Sequence, residues 1–129
     1  GVPANYSILT NLPVKYDQFD FSSVRFARSA SAPLLPSLKK SFEDYYGIPI
    51  VNTLGLSEMC GQVFSDSMNQ SKSKLGTIGR PINNQAKVVN EKGDDLGNNE
   101  EGEIVVRGDN LMLGYYNELR NFLVVGCFF

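Results

Sequence analysis

Histidine is missing from this chain altogether. Its absence removes His-based general bases, Ser-His triads and histidine metal sites together. Cysteine is scarce: Cys60 and Cys127 do not form a metal-ligand spacing. They leave one disulfide as one reading and two reduced thiols in a cytoplasmic compartment as the favoured one, with an organelle such as the peroxisome left open. No apolar run is long enough for a membrane span; Phe122 to Val125 is typical of the longest. No basic block stands out and the net charge is −2, so nucleic acid is not an expected partner. What remains is a 129-residue chain, 42% hydrophobic and 20% charged, with the balance of a globular domain and one core. Gly1 to Asn5 lacks the basic and apolar regions of a signal peptide. With no initiator methionine there, the chain is expected to begin inside a longer protein or to have been processed.

Pro3 to Leu12 fits a short helix, with Pro3 at a position where a missing N–H costs nothing and Tyr6, Leu9 and Leu12 as an apolar stripe. Val24 to Arg28 alternates like a strand with one covered face. Pro36 to Tyr46 is the clearest helix: a proline in its first turn, Leu35, Leu38, Phe42 and Tyr45 along one face, and Gly47 at the stop. Ile48 to Val51 reads as a short buried strand. Strand, helix and strand make a βαβ unit with a parallel sheet, whose ligands sit at the carboxyl ends of the strands. Two stretches fall at those ends: Ser29 to Pro33, small enough for backbone to approach a flat ligand or simply a turn, and Asn52 to Glu58. Gln62 to Lys74 reads as a surface loop and boundary between an α/β portion, 1–74, and a β-rich portion, 75–129. The latter has strands near 86–90 and 102–107, a turn at Asn90 to Asp94, and the look of a small distorted barrel.

Ser57 and Glu58 form the chemical centre of this reading. A hydroxyl can hold a phosphate, and magnesium usually takes one or two protein carboxylates. The same pair also suits a helix N-cap and first turn. Arg80 and Arg107 are candidates to meet anions but read as exposed partners of nearby carboxylates. Asp94-Asp95 and Glu100-Glu101 read as solvated turn residues, and Tyr45-Tyr46 and Tyr115-Tyr116 as core or interface residues.

Four blocks occur in an informative order: Arg28-Ser29-Ala30-Ser31-Ala32-Pro33-Leu34; Leu54-Gly55-Leu56-Ser57-Glu58; Gly76-Thr77-Ile78-Gly79-Arg80-Pro81; and Gly102 to Gly108 followed by Met112-Leu113-Gly114-Tyr115-Tyr116-Asn117. In this order they resemble the adenylate-forming, AMP-binding superfamily of acyl-CoA synthetases and ligases over about residues 1 to 117. The resemblance implies part of the family's large N-terminal domain, a parallel-sheet portion followed by the β-rich one. It also implies ATP/AMP, Mg²⁺ and coenzyme A as reactants, a small carboxylic acid as substrate, and fatty acid metabolism as an expected context. By position, Ala30, Ser31, Ala32 and Pro33 would line adenine. Leu54, Gly55 and Leu56 would border the nucleotide and acyl groups, Ser57 would bond phosphate, and Glu58 would hold the metal. Leu54 stands where the family usually has an aromatic residue on the adenine, a contact worth about 1–3 kcal/mol. Ala30 replaces a frequent glycine, and Ser57 a threonine. The family's phosphate loop, its ribose-binding aspartate and its lysine-bearing C-terminal domain are not among these residues. The expectation is an interior fragment, truncated isoform or partial gene model that lacks ligase activity alone and partners the rest of its polypeptide or a second copy. The alternative is a non-catalytic binding or interaction protein that keeps part of the fold; a plain α/β domain is the third.

Overall fold

A computed structural model describes residues 1–12 and 18–116. Its elements run α1 Pro3–Asn11, β1 Ala27–Ser29, α2 Pro36–Tyr46, β2 Ile50–Leu56, a 3₁₀ turn Ser57–Met59, β3 Gly61–Ser65, a 3₁₀ turn Gln70–Lys72, β4 Arg80–Pro81, β5 Gln85–Val89 and β6 Glu103–Arg107. Strands β1 to β4 follow one another in one sheet, and β5 pairs with β6. By compactness the chain divides into a first unit, 1–55 with 64–80, and a second, 56–63 with 81–129.

In the first unit β1 and β2 are parallel, Ala27 opposite Ile50 and Ser29 opposite Asn52, with α2 as the crossover. Its helix bounds are those expected: Pro36 opens it, and Gly47, at φ 66°, closes it and donates its N–H to the Glu43 carbonyl. The core joins Tyr6, Leu34, Phe42, Ile48 and Ile50. Tyr6 meets Phe42 edge-on at 5.0 Å between ring centroids, and a buried side chain of this size contributes about 1.5–3 kcal/mol. Leu9, Leu12 and Leu35 are exposed, so α1 covers the core through Tyr6 alone and the expected stripes are narrower. On α2 the helical spacing brings Lys39 inward beside Phe42, and Lys39 is buried.

The strand expected at Ile48 to Val51 starts two residues later and continues to Leu56. Alternate burial at Val51 and Thr53 sustains it past the apolar run. The surface loop expected at Gln62 to Lys74 begins instead with β3, because Val63 and Phe64 are buried. Gly79 stands at φ 85°, and a Cβ there would lie 2.0 Å from the Ser65 carbonyl oxygen, so only glycine fits this part of the third block.

In the second unit β5 and β6 are antiparallel, Gln85 opposite Arg107 and Val89 opposite Glu103. Their connection turns at Asn90 to Gly93, where the Gly93 N–H donates to the Asn90 carbonyl at 2.9 Å. Gly102 packs under β5: a Cβ there would come within 2.4 Å of the Val89 carbonyl oxygen. No closed barrel forms among the described residues; the β-rich portion shows one two-stranded sheet beyond the four-stranded one.

Candidate functional site

The Ala30 to Pro33 loop leaves the carboxyl end of β1, and its root is pinned from three directions. The N-terminal amino group of Gly1 donates to the Arg28 carbonyl at 2.8 Å, the Tyr6 hydroxyl donates to the same oxygen, and the Ala30 N–H donates to the Gly1 carbonyl at 3.2 Å. Burial raises the Tyr6 pKa and outweighs the opposing effect of that bond, so the phenol stays a donor. Ser29 is fully buried; its carbonyl accepts from the Thr53 hydroxyl at 3.1 Å, while its own hydroxyl has no partner among the described residues. Past this anchor Ser31 takes φ 69°, a left-handed conformation uncommon for serine. Ser31, Ala32 and Pro33 are exposed and Leu34 turns back into the core. The result is a short stretch of open backbone on a fixed root. On the neighbouring strand Leu54 is half-buried and Gly55 exposed, beyond the Ser29–Asn52 pair and so at the same carboxyl end of the parallel pair.

In the second unit, Leu56 is half-buried and Ser57, Glu58 and Met59 form a single 3₁₀ turn. Its N-cap is Leu56, so Ser57 is not the capping residue and its exposed hydroxyl is not spent on a cap. Met59, with 0% exposure, roots the turn, and the Cys60 N–H closes it onto the Ser57 carbonyl at 3.1 Å. Residues 110–115 bind this turn at three points. Asn110 Nδ2 donates to the Met59 carbonyl at 2.5 Å, the Met112 N–H donates to the Glu58 carbonyl at 2.8 Å, and the Tyr115 hydroxyl donates to Glu58 Oε1. The Tyr115 bond, with help from Glu58's own backbone N–H, holds the Glu58 carboxyl below the usual carboxylate range against a slight opposing effect of burial. Glu58 is therefore ionised at neutral pH, and its carboxylate faces solvent.

Tyr115 and Tyr116 are exposed, which removes the core alternative of the core-or-interface expectation for that pair. The roles of Tyr115 and Met112 at Glu58, and of Asn110 at Met59, escaped sequence reasoning, although the fourth block contains Met112 and Tyr115. Asn117 and Cys127 lie outside the described residues; Cys60 is an exposed free thiol. Among the described residues no cluster of three His, Cys, Asp or Glu could enclose a metal. A magnesium ion fits this donor set only as a one-carboxylate site, with water and phosphate oxygens supplying the other positions.

A match to the AMP-binding enzyme family covers residues 1–116. The chain belongs to that family. It is 38% identical over 95 residues to a sulfoacetate–CoA ligase of Cupriavidus necator, covering 74% of this chain and 19% of that protein. To an oxalate–CoA ligase of Arabidopsis thaliana it is 28% identical over 118 residues, covering 91% and 23%. The fold matches the crystal structure of an anthranilate CoA ligase in complex with anthranoyl-AMP with a TM-score of 0.82 at 24% identity, over 92% of this chain and 22% of that one. The chain thus spans about a fifth of the length of the relatives it matches. Within the AMP-binding family, the mixed α/β portion seen here corresponds to the N-terminal domain of adenylate-forming enzymes.

Proposed function

We propose that this chain carries the nucleotide-facing part of an acyl-activating enzyme of the CoA-ligase type. A small carboxylic acid is the substrate and ATP the activator. In the first step a carboxylate oxygen bonds the α-phosphorus of ATP and the bond to pyrophosphate breaks, giving an acyl-adenylate. In the second, the sulfur of coenzyme A bonds the acyl carbon, the bond to AMP breaks, and the thiol proton is lost. The observation that carries this reading is the clamp on Glu58: from the fourth block a backbone N–H holds its main-chain carbonyl and a phenol its ionised, solvent-facing carboxylate, beside a free hydroxyl.

The open backbone of Ala30, Ser31, Ala32 and Pro33 suits the flat face of adenine, with Leu54 beside it. Gly55 and Leu56 border the acyl group, and the Ser57 hydroxyl donates to a phosphate oxygen. Glu58 would be the metal ligand, and magnesium bound there would offset the negative charge of the phosphates and of the leaving pyrophosphate. The remaining work is positioning and charge stabilisation. The 129-residue chain alone is expected to bind rather than turn over, because its relatives carry out the reaction in chains about four times as long.

An ATP titration of this chain followed by backbone amide NMR tests the reading. Shifts are expected at 30–33 and 54–58, and Glu58→Ala should remove those at 57 and 58 while keeping those at 30–33. In the whole enzyme, carboxylate-dependent exchange of pyrophosphate into ATP, with oxalate and sulfoacetate among the acids tried, should disappear in Glu58→Ala. Silence of both segments toward ATP would sink the proposal. Leu54 favours a second reading, a binding protein without turnover, since an aliphatic side chain offers adenine no π-face. Exchange that is absent in the whole enzyme despite ATP binding would select it.

A further inference from the structure

A cleft with basic side chains lies in the first unit, and it shares no residue with the candidate nucleotide positions. A cleft of about 430 Å³ is lined by Ser65, Asp66, Lys72, Lys74, Thr77 and Arg80. Lys72, Lys74 and Arg80 are all exposed, and none has an ion-pair partner among the described residues. The carboxylate in the wall does not cancel them. Asp66 is buried and bound to Lys39 Nζ at 2.9 Å, with the Ser73 hydroxyl on the same oxygen and the Ser67 N–H on the other at 2.8 Å. Its charge is matched from beneath by Lys39, which leaves three unmatched positive charges around one concavity.

The backbone that carries them is fixed. Ser73 is tied to Asp66 and to Lys39 Nζ, at 3.0 Å, so Lys72 and Lys74 flank an anchored residue. The Asn69 side chain accepts the Ser71 N–H at 3.0 Å and holds the preceding turn. Arg80 follows Gly79, which packs against the Ser65 backbone too closely for any Cβ. Two hydroxyls of the wall are spent, Ser65 on the Asp66 carbonyl and Thr77 on the Lys74 carbonyl, while that of Ser67 accepts the Asn69 N–H at 3.1 Å. Recognition here would therefore be by charge, from one guanidinium fork and two ammonium groups, a set suited to phosphate oxygens. Low-dielectric walls around like charges concentrate counter-ions of the opposite sign.

We propose that this cleft is a binding site for a small phosphate compound of several negative charges, separate from the nucleotide positions at 30–33 and 54–58. The proposal does not depend on the ligase reading, because it uses none of the residues assigned to catalysis.

Inorganic pyrophosphate is the probe, titrated into the chain at low salt and followed by amide NMR. Shifts are expected at 65–67, 72–74 and 77–80. Arg80→Gln and Lys74→Gln, both exposed positions, should each weaken binding about tenfold, the loss of one charge-assisted contact, with the rest of the amide spectrum unchanged. Arg80→Lys should recover part of it, and added sodium chloride should weaken binding steadily. Shifts confined to 54–58 would overturn the proposal, as would equal affinity in Arg80→Gln and Lys74→Gln. Citrate binding as tightly as pyrophosphate would overturn the assignment to phosphate.

Discussion

Asp66 and Glu58 each receive a hydroxyl hydrogen bond, and their surroundings give them opposite uses. Asp66 has 3% of its side chain exposed, and its two oxygens accept from Lys39, Ser73 and the Ser67 N–H. Glu58 faces solvent, takes the Tyr115 hydroxyl on one oxygen, and has no cation beside it among the described residues. An ionised carboxylate offers about four acceptor sites. Asp66 has nearly filled them from within the protein, so it serves to hold α2 to the end of β3. Glu58 keeps most of its own, and the cation they call for has to come from outside. A carboxylate is made structural or functional less by its own bonds than by how many sites its surroundings leave unfilled.

The strongest way to break this contrast is to remove the buried acid. Asp66→Ala leaves the buried Lys39 ammonium with only Glu43, at 3.9 Å, for a counter-charge, and loss of one member of a buried pair costs about 3–5 kcal/mol. Urea unfolding should show the midpoint falling by a corresponding amount, or the chain failing to fold. Replacing the pair together, Lys39→Met with Asp66→Leu, should recover most of that loss, since apolar groups of similar volume need no partners. If the double variant were as unstable as Asp66→Ala, the network would be holding the fold through something other than paired charge.

This network is also where sequence and structure part. Helix α2 was legible because its signals are local: Pro36 in the first turn and Gly47 at the left-handed stop bound it at the expected residues. Lys39 was not, because a lysine inside a helical pattern reads as solvated, and its partner lies 27 residues on in a stretch read as polar loop. Strand β3, which delivers Asp66, is five residues with only Val63 and Phe64 buried, too short to declare itself. At the candidate site, Ser57 and Glu58 were found through motif order. Tyr115 was read as a core or interface residue because aromatic residues usually pack, yet its hydroxyl serves an acid 57 residues away. Local punctuation survives in sequence; long-range hydrogen-bond partners do not.

A milder test uses acid. Burial raises the Asp66 pKa, but the hydrogen bonds from Ser73, Lys39 and the Ser67 N–H, with the charge of Lys39, more than offset it and leave it below its ordinary value of 3.8. In the unfolded chain Asp66 takes up its proton near that ordinary value, while the folded chain still resists it. Its contribution to stability is therefore complete above about pH 4 and is lost as pH falls through the lower folded value. Denaturation midpoints measured from pH 6 downward should decline below about pH 4, more steeply than in Asp66→Asn. Equal slopes would mean that the hydrogen bonds to Asp66 are not held in solution.

The smallest expected effect on stability comes from the exposed partner. Tyr115→Phe removes one hydroxyl at the surface and should leave the urea midpoint unchanged. It should still move chemistry, because the Tyr115 bond is the largest influence holding the Glu58 carboxyl down. A carboxyl-detected NMR titration should find the Glu58 pKa raised toward the ordinary glutamate range of about 4.3, with the Asp66 titration unmoved. ATP-induced shifts at 57 and 58 should shrink as the carboxylate loses its fixed orientation. A Glu58 pKa unchanged in Tyr115→Phe would show that the phenol does not hold this acid, and the motif joining residues 112–115 to the turn would then act through the Met112 backbone alone.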